Sequence, residues 1–345
     1  MYYKFCEQLQ KSVFLGFDSL LHCCNCDLDR SPCFYFYYDG RKVNWKKVVA
    51  QKNRLQERAK KGKIPFRACE NCCMLMNRDD WQDGCYINEI TISHWTKCNS
   101  NCYYCYSALD KDRYNSVEPY SMIKMLKDME EAGVLRYDGI VRFVGGEVGV
   151  LDDFEEIIDF LLEKGVKKIF IPSSGITYLP AIEKVLKAGV GEVVISPDSG
   201  NSELYRKIKR VDAFDRVVEN CKKYAEAAKN TNSVFELKYI LLPFVNDTKE
   251  QIDEWIELCK RIGVQNIADD FEGYFAMQYP KSIPPKVPEL LKYIHKRAEE
   301  EGMNICRFRY AYQLMHELET GSKKVANSDR NLKHQKKFVE KMLQR

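Results

Sequence analysis

Cys98, Cys102 and Cys105 stand in a C-x3-C-x2-C pattern. Three thiolates on so short a loop can each ligate one iron on one face of a cubane, which leaves the fourth iron open to a small molecule. Zinc is the competing reading: it wants four donors, and His94 is the nearest imidazole. His94 falls on the strand that leads into the loop, which favours a cluster over zinc. The loop also belongs to a wider excess of sulfur, because 12 of the 15 cysteines precede residue 106. Cys221, Cys259 and Cys306 are scattered singly and read as small buried hydrophobes. A secreted disulfide scaffold would normally be shorter and carry a signal, whereas the N-terminus, Met1 to Cys6, lacks an apolar h-region. The expected setting is the reducing cytoplasm, where clustered thiols ligate metals.

The elements that must position this loop follow from the pattern after residue 85. Strand-like segments over 87–95, 139–144, 168–173, 192–196, 235–242 and 264–269 alternate with helical ones over 120–133, 152–165, 179–189, 202–229, 248–263 and 287–302. Each connection is long enough for a parallel crossover, and right-handed crossovers wind such units into one α/β layer system. A complete eight-unit barrel needs about 250 residues and two strands more than this pattern supplies. The expected fold is therefore a partial (β/α)6 TIM-like barrel over 86–275. A C-terminal helical extension covers 276–345, and a cysteine-rich metal-binding module covers 1–85. Its segment 41–63 holds ten basic residues and one acidic, and 322–345 holds eight against two. Both read as solvated faces, although phosphate would also suit the first. Overall, 54 basic residues face 50 acidic ones, too even a balance to announce nucleic acid. No apolar run approaches the roughly 18 residues of a membrane span.

At the cysteine loop the sequence resembles the radical S-adenosylmethionine (SAM) superfamily. The resemblance is carried by Cys98-Asn-Ser-Asn-Cys102-Tyr-Tyr104-Cys105, with an aromatic residue before the last cysteine, after the first strand. Gly145-Gly146-Glu147 ends the second strand, with Val148 where that family usually has proline. It covers about residues 86–275. It implies a [4Fe–4S] cluster whose open iron binds the amino and carboxylate groups of SAM. Reduction then splits a carbon–sulfur bond and yields methionine and a 5′-deoxyadenosyl radical that abstracts hydrogen. Tyr104, Gly145, Gly146 and Glu147 are its cofactor-binding residues: the glycines let backbone approach the methionine portion, and Glu147 accepts from its ammonium. Ser196 and Asp198 match a Ser-x-Asp pattern for ribose and carboxylate, against a helix-capping reading. Lys238 could reach a carboxylate, and 267–270 lacks the Gly-x-Ile-x-Gly pattern often used for adenine.

Residues 16–24 followed by 65–85 resemble the SPASM and twitch auxiliary cluster domains of the same superfamily, placed here ahead of the core. That resemblance implies a second [4Fe–4S] cluster on Cys24, Cys69, Cys72 and Cys85, with Cys23 the alternative to its neighbour. A four-thiolate zinc site from Cys23-x2-Cys26 and Cys69-x2-Cys72 is the other reading.

Together these features imply a radical SAM enzyme that oxidises, epimerises or otherwise modifies a peptide or sugar, a nucleotide-sugar included. Its partner is a low-potential electron donor of flavodoxin or ferredoxin type. The alternative from another class is a zinc-stabilised, non-catalytic RNA-binding protein on a degenerate barrel. RNA binding requires neither the cysteine loop nor Gly-Gly-Glu.

Overall fold

A computed structural model describes residues 3–17, 19–22, 34–37, 42–66, 69, 75–78, 84–105, 120–279, 281–321, 323–325 and 329–344. By contacts the chain divides into two compact units, residues 1–97 with 115–171, and 98–114 with 172–345.

In the first unit, β1 (Tyr3–Phe5) leads to α1 (Glu7–Lys11), β2 (Ser12–Gly16), β3 (Ser19–Leu21) and β4 (Phe34–Tyr37). Then come α2 (Trp45–Lys60), β5 (Met76–Arg78), β6 (Ile87–Ser93), α3 (Met122–Glu131), β7 (Leu135–Phe143), α4 (Phe154–Glu163) and β8 (Lys168–Ser173). The sheet runs β8–β7–β6–β2–β3–β4, and the first four of these strands are parallel. β3 and β4 extend it antiparallel, while β1 and β5 form a small separate pair.

The second unit holds α5 (Pro180–Lys187), β9 (Gly191–Ile195), α6 (Ser202–Lys209), α7 (Phe214–Ala228), β10 (Val234–Leu241), α8 (Lys249–Ile262) and β11 (Asn266–Phe271). It continues with α9 (Gly273–Gln278), β12 (Ser282–Ile283), α10 (Lys286–Glu300), β13 (Asn304–Arg307), α11 (Arg309–Glu319), β14 (Lys324–Val325) and α12 (Asp329–Gln344). β13, β11, β10 and β9 lie side by side, all parallel. One face of β10 (Phe235, Leu237, Tyr239, Leu241) is fully buried, with Tyr239 against Trp255 of α8 at 5.1 Å between rings. The alternate residues are half-exposed.

The α/β class and the mostly parallel pairing are as the pattern implies, and β8 falls on the predicted residues. Three expectations change. Two further parallel strands exist, β2 from the N-terminal segment and β13 near the C-terminus, so the count is not six. The expected boundary after Cys85 does not coincide with the division of the chain: Ser12–Gly16 pairs with β6 in register Ser12↔Glu89 to Gly16↔Ser93. The helix expected over 202–229 is two helices, because Arg210 turns left-handed (φ 56°) and ends α6. That stop matters for the site. No helix among the described residues is long and apolar enough to cross a membrane.

Candidate active site

The cysteine loop lies in the second unit and docks on the C-terminal end of α6. A helix ends with carbonyls that have no partner inside it. Here the Ile208 carbonyl accepts from Tyr103 N at 3.1 Å and that of Lys209 from Asn101 N at 3.1 Å. A second tether is Ser174 Oγ, after β8, which donates to Asn99 Oδ1 at 3.0 Å. Ser100 Oγ stands 3.3 Å from Cys98 Sγ and 3.5 Å from Cys102 Sγ. All three thiols are half-buried.

Beneath the loop sits a buried charged cluster. Tyr104 Oη donates to Asp198 Oδ2 at 2.6 Å, and Lys209 Nζ donates to Tyr104 Oη at 2.7 Å and to the same Asp198 oxygen. Asp198 is fully buried and Lys209 is 6% exposed. The other Asp198 oxygen accepts from Ile240 N at 2.9 Å. The Asp198 backbone is left-handed (φ 58°), and Asn246 Nδ2 holds its carbonyl at 2.9 Å. Burial is the largest influence on the Lys209 ammonium and opposes it, but Asp198, with Cys102 and Cys105 adding to it, makes the net displacement upward. Burial pushes the Tyr104 phenol well up, with Asp198 adding to it. The Asp198 carboxylate therefore anchors Tyr104 and Lys209. Ser196, two residues earlier, is half-buried just after β9.

Gly145, Gly146 and Glu147 lie in the first unit, directly after β7. Their amides continue the ladder, Gly146 N to Trp95 O at 3.2 Å and Glu147 N to Lys97 O at 2.9 Å. A Cβ on Gly146 would stand 2.0 Å from Lys97 O, and one on Gly145 (φ 140°) 2.5 Å from Trp95 O. The space a side chain would need is taken by the chain's own 95–97 backbone. That contact alone requires glycine, whatever ligand binds. Glu147 is 3% exposed; its Oε1 accepts from Gly149 N at 3.3 Å and its carbonyl from Trp95 Nε1 at 3.1 Å.

His94 is not a loop ligand in this structure. It is fully buried in the first unit against Trp95 and Tyr120, and neither ring nitrogen has a hydrogen-bond partner among the described residues. Burial lowers its pKa to about 4. Of the expected auxiliary ligands, Cys24 and Cys72 lie outside the described residues, as do Cys23 and Cys26. Cys69 and Cys85 are half-buried; Cys85 N is held by Asn53 Oδ1 at 2.7 Å, and burial raises its thiol to about 11. Lys238 pairs with Asp270 at 3.6 Å.

Sequence reasoning missed Lys209 and Asn246. Lys209 had a signal: it follows Tyr205 by four residues on the stripe of α6 that also buries Leu204 and Ile208. A lysine on an apolar stripe needs a buried partner.

The donor chemistry fits a cluster held by three thiolates: two of the sulfurs converge on one serine hydroxyl, and the loop backbone is fixed by α6. As they stand, no three His, Cys, Asp or Glu side chains among the described residues are gathered on one centre.

Residues 92–259, just under half of the chain, match the family described as the Radical SAM superfamily. A probable GTP 3′,8-cyclase of Methanocaldococcus jannaschii is 30% identical over 183 residues, 52% of this chain and 57% of that protein. A GTP 3′,8-cyclase of Clostridium botulinum is 25% identical over 182 residues, 52% and 54%. The chain thus spans a little over half the length of these curated relatives. Among solved structures, Streptococcus suis SuiB bound to precursor peptide SuiA superposes with a TM-score of 0.51 at 14% identity, over 78% of this chain and 65% of that one. That likeness is one of fold.

Proposed function

We propose, from the premise that residues 92–259 are a radical SAM core with a [4Fe–4S] cluster and SAM as its cofactors, that the chain catalyses hydrogen abstraction from a purine nucleotide. The cluster and SAM supply, when bound and reduced, the radical that removes the hydrogen. Cys98, Cys102 and Cys105 are the ligands, Gly145 and Gly146 shape the backbone beside the methionine portion, and Glu147 accepts from its ammonium. The observation that carries this reading is the cysteine loop capping α6, because a three-ligand cluster needs its loop held without help from a fourth protein donor. The likeness to GTP 3′,8-cyclases supports the nucleotide, in place of the peptide or sugar expected from the sequence.

The partial barrel belongs to the same proposal. So do Ser196 at the ribose and an external low-potential reductant. A second [4Fe–4S] cluster on Cys24, Cys69, Cys72 and Cys85 is also part of it, with zinc as the alternative metal. The test is anaerobic reconstitution, addition of SAM and dithionite, and comparison of GTP with peptide and sugar pools. Deuterium passing from labelled GTP into 5′-deoxyadenosine supports the reading. Formation of 5′-deoxyadenosine with no substrate-derived deuterium from GTP would remove the nucleotide and keep the core chemistry.

A further inference from the structure

We propose that Lys209 is a positioning and tuning residue of the cluster: its buried ammonium, oriented by Asp198 and Tyr104, fixes the cysteine loop and biases the cluster toward its reduced, more negative state. The inference rests on the three-thiolate reading above and concerns residues that reading does not use.

Three sets of contacts converge on the end of α6. The backbone carbonyls of Ile208 and Lys209 hold the loop at Tyr103 and Asn101. The Lys209 side chain holds it again at Tyr104, through the phenol at 2.7 Å and through the ring face, with Nζ 5.0 Å from its centroid. Asp198 closes the arrangement by accepting from both, while Ile240 N and Asn246 fix Asp198 itself. Removing the lysine thus frees one residue of the loop between two ligands, Cys102 and Cys105.

The same ammonium acts on the sulfurs. It meets Tyr104 at the phenol and at the ring face, and Tyr104 stands in the chain between the ligands Cys102 and Cys105. A positive charge beside a cluster favours the electron-richer state and raises the reduction potential, because net local charge is one of the protein's levers on such centres.

A scaffold-only lysine and a tuning lysine predict different things, and charge swaps separate them. Lys209→Met leaves the Asp198 carboxylate alone and should shift the midpoint potential of the SAM-ligating cluster downward. Asp198→Asn leaves the ammonium alone and should shift it upward. The paired variant Asp198→Asn/Lys209→Met is neutral and near in shape, so it should fold like the wild type and fall between the two. Lys209→Arg keeps the charge and should restore most of the Lys209→Met shift. Potentials are read by redox titration with electron paramagnetic resonance, after subtracting the variant with Cys98, Cys102 and Cys105 all changed to alanine. In the metal-free protein, Lys209→Met and Tyr104→Phe should both speed amide hydrogen exchange over residues 101–105, a readout that thiol protonation does not move, while the buried Cys259 stays unlabelled by iodoacetamide and reports an intact fold.

Shifts of the same sign in Lys209→Met and Asp198→Asn, or unchanged potentials in both, would overturn the tuning role. Exchange rates equal to wild type would overturn the positioning role. A wild-type protein that holds no more iron than the triple alanine variant would instead refute the cluster reading itself.

Discussion

Among the described residues three lysines are buried, Lys52, Lys209 and Lys323, and the first two, one in each unit, are held differently. Lys209, in the second unit, meets a carboxylate and a phenol beneath the cysteine loop. Lys52, on α2 of the first unit and fully buried, donates to three backbone carbonyls, those of Leu9 at 3.0 Å, His22 at 2.8 Å and Ser12. The Lys52 charge reaches its neighbours, opposing the upward displacement of Cys85 and adding to the downward one of His22. Lys209 belongs to an exchangeable charge pair beside a reactive loop. Lys52 is a staple that ties α2 to the turns around β2.

The largest test of that contrast is at the thiols. With Cys98, Cys102 and Cys105 all alanine, the loop near Lys209 should lose SAM cleavage entirely. Detection of 5′-deoxyadenosine in that variant would sink the assignment. The cysteines of the Lys52 unit should still hold about four irons per chain as a second cubane. A colourless triple variant with one zinc would point to a four-thiolate zinc site there, and one without metal would leave those cysteines structural.

Next in size is the stability of the two lysine sites. Lys52→Met strands three carbonyls that are each about 1–3 kcal/mol to leave unpaired, so urea unfolding should lose roughly 3 kcal/mol or more. Asp198→Asn/Lys209→Met removes both charges together and should stay within about 1.5 kcal/mol of wild type, since neutral pairs of similar shape often replace buried ion pairs without loss. Equal losses in the two variants would erase the distinction between staple and charge pair.

Both lysines were half-visible in the sequence. On α2 the buried stripe runs Trp45, Val48, Lys52, Leu55 and Ala59, at helical spacing, with the lysine where an apolar residue belongs. Lys209 breaks the stripe of α6 in the same way. What a stripe cannot reveal is the partner, because Leu9, Ser12 and His22 lie 30 to 43 residues from Lys52 and Tyr104 lies 105 from Lys209. The central strands and the cysteine loop were legible because local alternation and spacing fix them. α8 was equally plain, opened by the Thr248–Gln251 capping box and closed by Gly263. β2 and β13 escaped for the opposite reason. Four or five residues without alternation say little, and only pairing with β6 and β11 makes them strands. The division of α6 from α7 was hidden because Arg210, left-handed at φ 56°, is an ordinary helix former by residue type.

A smaller effect is expected at Glu147, the buried carboxylate of the unit that Lys52 staples. Glu147→Gln keeps its shape and deletes a charge-assisted hydrogen bond of roughly 1.5–3 kcal/mol to the methionine ammonium. SAM should bind about 10- to 100-fold more weakly by equilibrium dialysis, with the cluster absorption unchanged. Equal affinity in the two proteins would count decisively against the role.

The finest test reads the Lys52 charge through the acid response. His22 and His94 are both buried in the first unit. Burial alone lowers His94 to about 4, whereas burial and then Lys52 lower His22 to about 3. A histidine whose folded value lies below its unfolded value near 6.5 takes up its proton on unfolding. The stability it represents is present above pH 6.5 and is lost as pH falls toward the folded value, at up to about 1.4 kcal/mol per pH unit for each histidine. At pH 5 the loss should be about 2 kcal/mol per histidine relative to pH 7.5. His94→Leu and His22→Leu should each flatten the fall in urea stability between pH 6.5 and 4. Only His22→Leu should go on flattening it from pH 4 toward 3, because there the Lys52 charge still keeps the native imidazole neutral. If the two variants part from wild type over the same pH range, Lys52 contributes nothing to His22 beyond burial.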